Sequence, residues 1–217
     1  MADTAAQVAV PNTTGRVLHW AFGYDLLAWV FCLGRERAFR ERLLDLADLK
    51  SGEQVLDVGC GTGTLAIAAK RRVGAKGTVY GIDASPEMIA RARKKAKKHG
   101  VEVRFENAIV EKLPFAEGTF DLVLSTLMLH HLGRIARQQC LSEIRRVLKP
   151  GGRLLAVDFS EPMRDRRGLF DRFHRHGHVK FSDLQSMLDE AGFPAVEIGA
   201  LGTRNLHYAS ARVPCCP

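Results

Sequence analysis

Three glycines alternate with small residues in Val55-Leu56-Asp57-Val58-Gly59-Cys60-Gly61-Thr62-Gly63. At the end of a strand and the start of a helix, such a turn lets a ligand approach the backbone closely. Dinucleotide-binding enzymes carry a similar loop, with a third glycine or alanine near the place of Ala66, and this sequence fits that pattern only loosely. Asp57 stands two residues before the first glycine. A carboxylate there repels a pyrophosphate and attracts a ligand bearing an ammonium group. Asp83 follows Gly63 by 20 residues. An acid at that spacing can accept from both hydroxyls of a ribose, a group that nicotinamide and adenosyl cofactors share. Its alternative use is to cap the helix beginning at Pro86.

A second group follows an apolar run: Ser125-Thr126-Leu127-Met128-Leu129-His130-His131. In an open α/β sheet these residues line the crevice outside the carboxyl edge. His130 and His131 are the candidate general bases, because imidazole titrates near neutral pH. The same pair could instead cap or pack the next helix. Asp158, ending a later apolar run, either faces this crevice or holds a loop. His174, His176 and His178 have no carboxylate or cysteine cluster beside them, so they read as a lid or solvated turn and no metal is expected. The five cysteines include no C-x-x-C pair, which signals neither a disulfide framework nor a zinc site and suits a reducing cytoplasm.

The elements that must position these residues alternate. Strands are predicted at 54–58, 77–82, 101–105, 120–125 and 153–159, and helices at 64–72, from Ser85-Pro86-Glu87 to Gly100, and at 134–148, stopped by Pro150-Gly151-Gly152. Such alternation argues for a doubly wound, mostly parallel α/β sheet of Rossmann-like type. A helix at 182–191 then precedes two strands, 194–200 and 205–213, which form a terminal antiparallel hairpin. The expected organisation is an N-terminal helical cap over 1–51 and a core over 52–217, within which 161–192 is a lid or substrate insertion.

At 217 residues, 46% hydrophobic and 26% charged, the chain is ordinary for a globular protein, which excludes a disordered tail, a collagen-like rod or a disulfide miniprotein. Its net charge of +8 permits anionic partners without choosing one. Arg91, Arg93, Lys94, Lys95, Lys97 and Lys98 read as a solvated helix face. The run Ala21 to Leu33 is too short and too interrupted by Asp25 for a membrane span, and its aromatics recur at helical spacing. Core or lid packing is the plain reading; Arg35, Arg37, Arg40 and Arg42 behind it would also suit peripheral contact with a membrane surface.

VLDVGCGTGTLA, YGIDASPEMI, LPFAEGTFDLVLS and LSEIRRVLKPGGRLLAVDFSEP resemble successive motifs of class I S-adenosylmethionine-dependent methyltransferases, most of all the type-11 branch with the ubiquinone and menaquinone biosynthesis C-methyltransferases. The resemblance spans 52–162 and implies a seven-stranded sheet. It implies S-adenosyl-L-methionine as cofactor and S-adenosyl-L-homocysteine as product. It places Gly59, Cys60, Gly61 and Gly63 with Asp57 around the methionine and ribose parts, Asp83 on the ribose, Ala84 and Met88 beside the adenine, and Ser125 near the cofactor. Such families usually carry Asp-Ala or Asn-Ala a few residues before Leu-Pro-Phe. Here Ile109 and Val110 hold those places and Asn107-Ala108 lies two residues earlier, so either Asn107 or only backbone atoms meet the adenine.

Methyl transfer to carbon, oxygen or nitrogen of an apolar or aromatic small molecule is the expected activity. The alternatives are methylation of a phospholipid or lipid quinone at a membrane surface, and cofactor binding without methyl transfer. No dedicated nucleic-acid module accompanies the core, so nucleic acid is not an expected partner. Nothing in the sequence specifies an oligomeric state.

Overall fold

The computed structural model describes residues 36–160, 179–202 and 205–215. In chain order these form α1 (Glu36–Leu46), β1 (Gln54–Val58), α2 (Thr64–Val73), β2 (Thr78–Asp83), α3 (Pro86–Lys98), β3 (Arg104–Asn107), β4 (Phe120–Thr126), a short 3-10 turn (Leu129–His131), α4 (Arg134–Val147), β5 (Leu148–Phe159), α5 (Phe181–Glu190), β6 (Val196–Ala200) and β7 (Leu206–Arg212). The seven strands lie in the order β3-β2-β1-β4-β5-β7-β6. The first five are parallel, and β7 runs antiparallel to both β5 and β6. Sheet order reverses between β1 and β4, which opens a crevice at their carboxyl ends.

The sheet forms because its central strands are apolar on both faces. Val55, Leu56 and Val58 of β1 and Leu122, Val123 and Leu124 of β4 are buried. One face packs on α1, α2 and α3 through Leu43, Leu44, Ala66, Ala69, Ile89 and Ala92. The other packs on α4 and α5 through Cys140, Leu141, Ile144, Leu184 and Leu188. Leu43, Leu44, Ala47 and Leu49, from the end of the expected cap, thus belong to the core of the domain itself. The remainder of that cap, the aromatic run and the histidine-rich insertion lie outside the described residues. Among the described residues no helix is long and apolar enough to cross a membrane.

Local signals place most boundaries. Ser85 caps α3, its Oγ accepting from Met88 N at 3.2 Å, with Pro86 in the first turn. Three boundaries differ from expectation, the first being β3, which lies at Arg104–Asn107, where it pairs with Tyr80–Asp83 of β2, and not at 101–105. β5 begins at Leu148 and runs through Pro150-Gly151-Gly152, because β4 pairs Phe120 with Leu148 and Leu122 with Arg153, leaving the proline in an irregularity where no ladder donor is required. α5 starts at Phe181 without a side-chain cap, so Ser182 lies inside it; the burial of Phe181, Leu184 and Leu188 sets its start.

Arg153 joins the pieces at the opposite end of the sheet. Its buried guanidinium pairs with both Glu53 oxygens at 2.8 Å and donates to Ala47 O at 2.7 Å and Asp48 O at 2.6 Å. It therefore ties the end of α1 to the segment entering β1 and to β5. Arg153→Ala strands Glu53 and two carbonyls, and should lower stability by about 3–5 kcal/mol in urea unfolding. A loss under about 1 kcal/mol would mean that water replaces the guanidinium at no cost.

Candidate active site

The glycine loop leaves β1 through three left-handed residues: Gly59, Gly61 and Gly63 have φ of 68°, 52° and 75°. They do different work. A Cβ on Gly59 would collide with Met128 Cγ, so this glycine lets the segment after β4 close onto the loop. A Cβ on Gly63 would fall 2.5 Å from Phe105 Cζ and 2.9 Å from Ala92 Cβ, so Gly63 serves the seating of α2 on the sheet. Gly61 donates its N–H to Asp83 Oδ2 at 2.9 Å.

Asp83 ends β2 with its other oxygen accepting from Ser85 N at 2.9 Å. One backbone donor on each oxygen holds the carboxylate rigid and leaves lone pairs on both for further donors. Burial pushes its pKa up, and the two N–H groups pull it back. Asn107 lies opposite Asp83 in register, and its Nδ2 donates to Asp83 O at 2.8 Å, beside the bond from Ala108 N at 3.2 Å. The Asn107 amide thus fixes the turn at Asp83 and Ala84. Ile109 is half-buried nearby, while Met88 and Ala108 are buried among apolar neighbours. Cys60 is half-buried, with its thiol against Gly81; burial first, then the charges of Asp57 and Asp83, push the thiol pKa up.

Two buried polar groups break the apolar strands beside the crevice. Asp57 is 2% exposed and Ser125 is 1% exposed. Asp57 Oδ2 and Ser125 Oγ have no hydrogen-bond partner among the described residues. Burial, and then the charge of Asp83, push the Asp57 pKa up to about 7, against the pull of the Ala66 N–H and of Arg40. A bound ligand is one means of completing such buried groups. Two carboxylates within a concave loop favour a cationic ligand over a pyrophosphate.

The third part follows β4. Leu127 takes a left-handed φ of 55°, and its N–H reaches Val157 O at 2.8 Å. For a branched residue this conformation costs on the order of 1 kcal/mol or more. It redirects the chain so that Met128 covers Gly59 and the 3-10 turn presents His130. His130 Nδ1 lies 2.6 Å from Asp158 Oδ1, and its backbone N–H donates to Asp158 Oδ2 at 3.1 Å. The His131 ring lies beside it, with centroids 3.9 Å apart.

The residues present fit S-adenosylmethionine: a ribose acceptor at Asp83, unpaired buried oxygens at Asp57 and Ser125 for an amino-acid end, and carboxylates suited to its positive charge. A family model described as a methyltransferase domain matches residues 55–152. A demethylmenaquinone methyltransferase of Thermus thermophilus is 40% identical over 152 residues, covering 70% of this chain and 67% of that protein. The chain belongs to the S-adenosylmethionine-dependent methyltransferases. A ubiquinone/menaquinone biosynthesis C-methyltransferase of Bdellovibrio bacteriovorus is 36% identical over 65% of this chain and 59% of that protein, in keeping with the type-11 kind. A crystal structure of an S-adenosylmethionine-dependent methyltransferase from Aquifex aeolicus superposes with a TM-score of 0.66 at 27% identity, covering 80% of this chain and 89% of that one.

In the methyltransferase, the expected residues fall into two groups. Asp57, Gly59, Gly61, Asp83, Ala84, Ser125, His130 and His131 gather at the carboxyl ends of β1, β2 and β4 and the segments after them, while Gly63, Met88 and Ala108 pack behind them. Lys95, expected on a solvated face, instead binds Thr62 Oγ1 at 2.7 Å and Thr64 Oγ1 at 2.9 Å, bracing the glycine loop from behind. Arg93 donates to Phe105 O at 2.6 Å. Neither contact has a local signal, because each spans two elements. Asp158 and Arg137 were the residues of the site least marked by sequence. Arg137 Nε donates to Leu129 O at 3.2 Å and its Nη2 to Leu132 O at 3.1 Å, clamping the turn that carries His130.

The raised pKa of Asp57 has a stability consequence with a definite sign. Its folded value of about 7 lies above the ordinary aspartate value of 3.8, so the cofactor-free fold binds the proton more tightly than the unfolded chain. Stability from this group is present below the unfolded pKa and is lost as pH rises through about 7. Asp57→Asn should therefore stabilise the cofactor-free protein by on the order of 2 kcal/mol at pH 8, with the gain vanishing at pH 4. The same substitution should weaken cofactor binding. Denaturant melts at the two pH values check this, and an equal effect at both would contradict it.

Proposed function

We propose that the methyltransferase acts on carbon, oxygen or nitrogen of an apolar or aromatic small molecule, and that a quinol precursor is the foremost acceptor. The observation that carries this reading is His130, a half-buried base candidate held by Asp158 on the turn that closes over the glycine loop. The likeness to a demethylmenaquinone methyltransferase of Thermus and a ubiquinone/menaquinone biosynthesis C-methyltransferase of Bdellovibrio supports an acceptor of the quinone class. When bound, the cofactor supplies a methyl group on a sulfonium, which already has a good leaving group. The chain's residues then need to align the acceptor, exclude water and receive a proton where the nucleophile must lose one. Asp57, Ser125 and Asp83 hold the cofactor's ends, while His130, with His131 beside it, faces the acceptor.

The free thiols of Cys60 and Cys140 suit a cytoplasmic setting. The deciding experiment is an acceptor screen that follows S-adenosylhomocysteine release, with demethylmenaquinol and smaller hydroxynaphthalenes among the acceptors. Release with quinols above the no-acceptor background supports the proposal, and release only with non-aromatic polar acceptors removes it.

A membrane-surface setting is favoured by one further observation. A cleft of about 420 Å³ between α1, α2 and α3 is lined by Arg37, Arg40, Arg71, Arg72 and His99, and Arg37 and Arg71 are exposed. Its Glu41 is already engaged by Arg72 at 3.4 Å. This surface suits anionic headgroups and would bring the enzyme to a lipid quinone. Flotation with phosphatidylglycerol vesicles, lost in high salt and absent with phosphatidylcholine, is the expected result.

A further inference from the structure

Behind the glycine loop, the cleft between α1, α2 and α3 gathers Arg37 and Arg40 from α1, Arg71 and Arg72 from α2, and Lys95 from α3. Glu41 is the single carboxylate in its lining, and it is engaged by Arg72, which also pairs with Asp45 at 2.6 Å. Arg37 and Arg71 are exposed and meet no carboxylate among the described residues. Cations gathered in a concave site repel one another and raise its potential, and a multiply charged anion offsets both effects. A phosphate ester carries about two negative charges near neutral pH and three strong acceptor oxygens. Guanidinium groups arriving from two helices match those oxygens. At about 420 Å³ the cleft has room for the group and the small organic body attached to it.

Two of these cations also border the cofactor loop. Lys95 Nζ donates to Thr62 Oγ1 at 2.7 Å and to Thr64 Oγ1 at 2.9 Å. Thr62 lies between Gly61 and Gly63 and is 3% exposed, while Thr64 is both the first residue of α2 and part of the cleft wall. The charge of Arg40 is felt by Asp57 in β1. We infer that the cleft binds a phosphate group, and that its occupancy tightens cofactor binding through Lys95 and Arg40. The sulfonium and ammonium of S-adenosylmethionine outweigh its one carboxylate, so cations behind the loop oppose it. An anion seated on them reduces that opposition. Such coupling is reciprocal, so the cofactor tightens phosphate binding by the same factor. S-adenosylhomocysteine lacks the sulfonium charge and gains little. A free phosphate ester and a lipid headgroup share this chemistry. The inference rests on cofactor binding at the glycine loop and is independent of the acceptor and of His130.

The test titrates the full chain by calorimetry at constant ionic strength and pH 8.5, where Asp57 is ionised. Inorganic phosphate and glycerol 3-phosphate are the soluble probes, and phosphatidic acid in phosphatidylcholine vesicles is the lipid one. A saturating probe should tighten S-adenosylmethionine roughly fivefold and S-adenosylhomocysteine less than about twofold. Arg37→Gln/Arg71→Gln should lose probe binding and the gain together, with a thermal melt showing that this surface variant is folded. Lys95→Met should still bind the probe through the arginines but pass on little of the gain. An effect of the soluble probes assigns the site to a phosphate ester, and an effect of the vesicles alone assigns it to a lipid headgroup. No binding of any probe to a chain that binds S-adenosylmethionine overturns the inference. Probe binding without a gain, an equal gain for both adenosyl ligands, or a full gain in the Lys95 variant overturns the coupling. A chain that binds no S-adenosylmethionine removes the cofactor placement beneath it.

Discussion

Asp83→Ala should lower affinity for S-adenosylmethionine by roughly 100-fold or more, with a smaller loss for Asp83→Asn. Hydrogen bonds to an ionised acceptor are worth about 1.5–3 kcal/mol each, and a ribose offers two. The substitution removes more than a ligand contact. Gly61 N and Ser85 N lose their shared acceptor, so the glycine loop and the start of α3 are no longer joined at 2.9 Å on each side. Asparagine keeps one acceptor oxygen, which is why it should retain part of the affinity. Calorimetric titration reads the loss, and a thermal melt separates it from unfolding. Unchanged affinity for the alanine variant would place the ribose elsewhere.

His130→Ala is expected to reduce turnover by about 10²–10⁴-fold while cofactor affinity stays within about threefold. The two effects separate because His130 sits on the turn after β4, on the proposed acceptor side, whereas the loop glycines follow β1 and Asp83 ends β2. Removing the ring also leaves Asp158 buried with only its two backbone donors, so a modest loss of stability accompanies the substitution. Single-turnover rates at saturating cofactor distinguish slow chemistry from weak binding. Wild-type turnover would make the His130–Asp158 pair purely structural.

The cofactor half of this site was legible because its chemistry is local. Gly59, Gly61 and Gly63 follow an apolar strand directly, and Asp57 and Asp83 lie at or next to the last residue of strands whose periodicity is plain. The acceptor half was not. His130 and Asp158 are 28 residues apart, and only the parallel pairing of β4 with β5, Ser125 opposite Ala156 and Thr126 opposite Val157, brings them together. Lys95 was hidden in a run of cations whose other members are exposed or edge-facing; its role rests on α3 crossing near the loop, which no helical spacing encodes. The fold was read nearly whole, since two-sided apolar strands and amphipathic helices suffice for it. Pro150 misled at β5, because a proline ends a helix and breaks a ladder unless an irregularity absorbs it.

In the proposed site, Asp57 near the end of β1 and Asp83 at the end of β2 select a positively charged adenosyl cofactor. Calorimetric titration of the wild-type chain with S-adenosylmethionine, in buffers of different ionisation enthalpy, tests it most directly. With Asp57 poised at about pH 7, binding should release close to one proton at pH 6 and almost none at pH 8.5, and affinity should fall as pH drops below about 7. Tight binding with no proton release at pH 6 would contradict the placement of the cofactor's amino-acid end at Asp57, and no binding at either pH would show that the loop does not hold this cofactor.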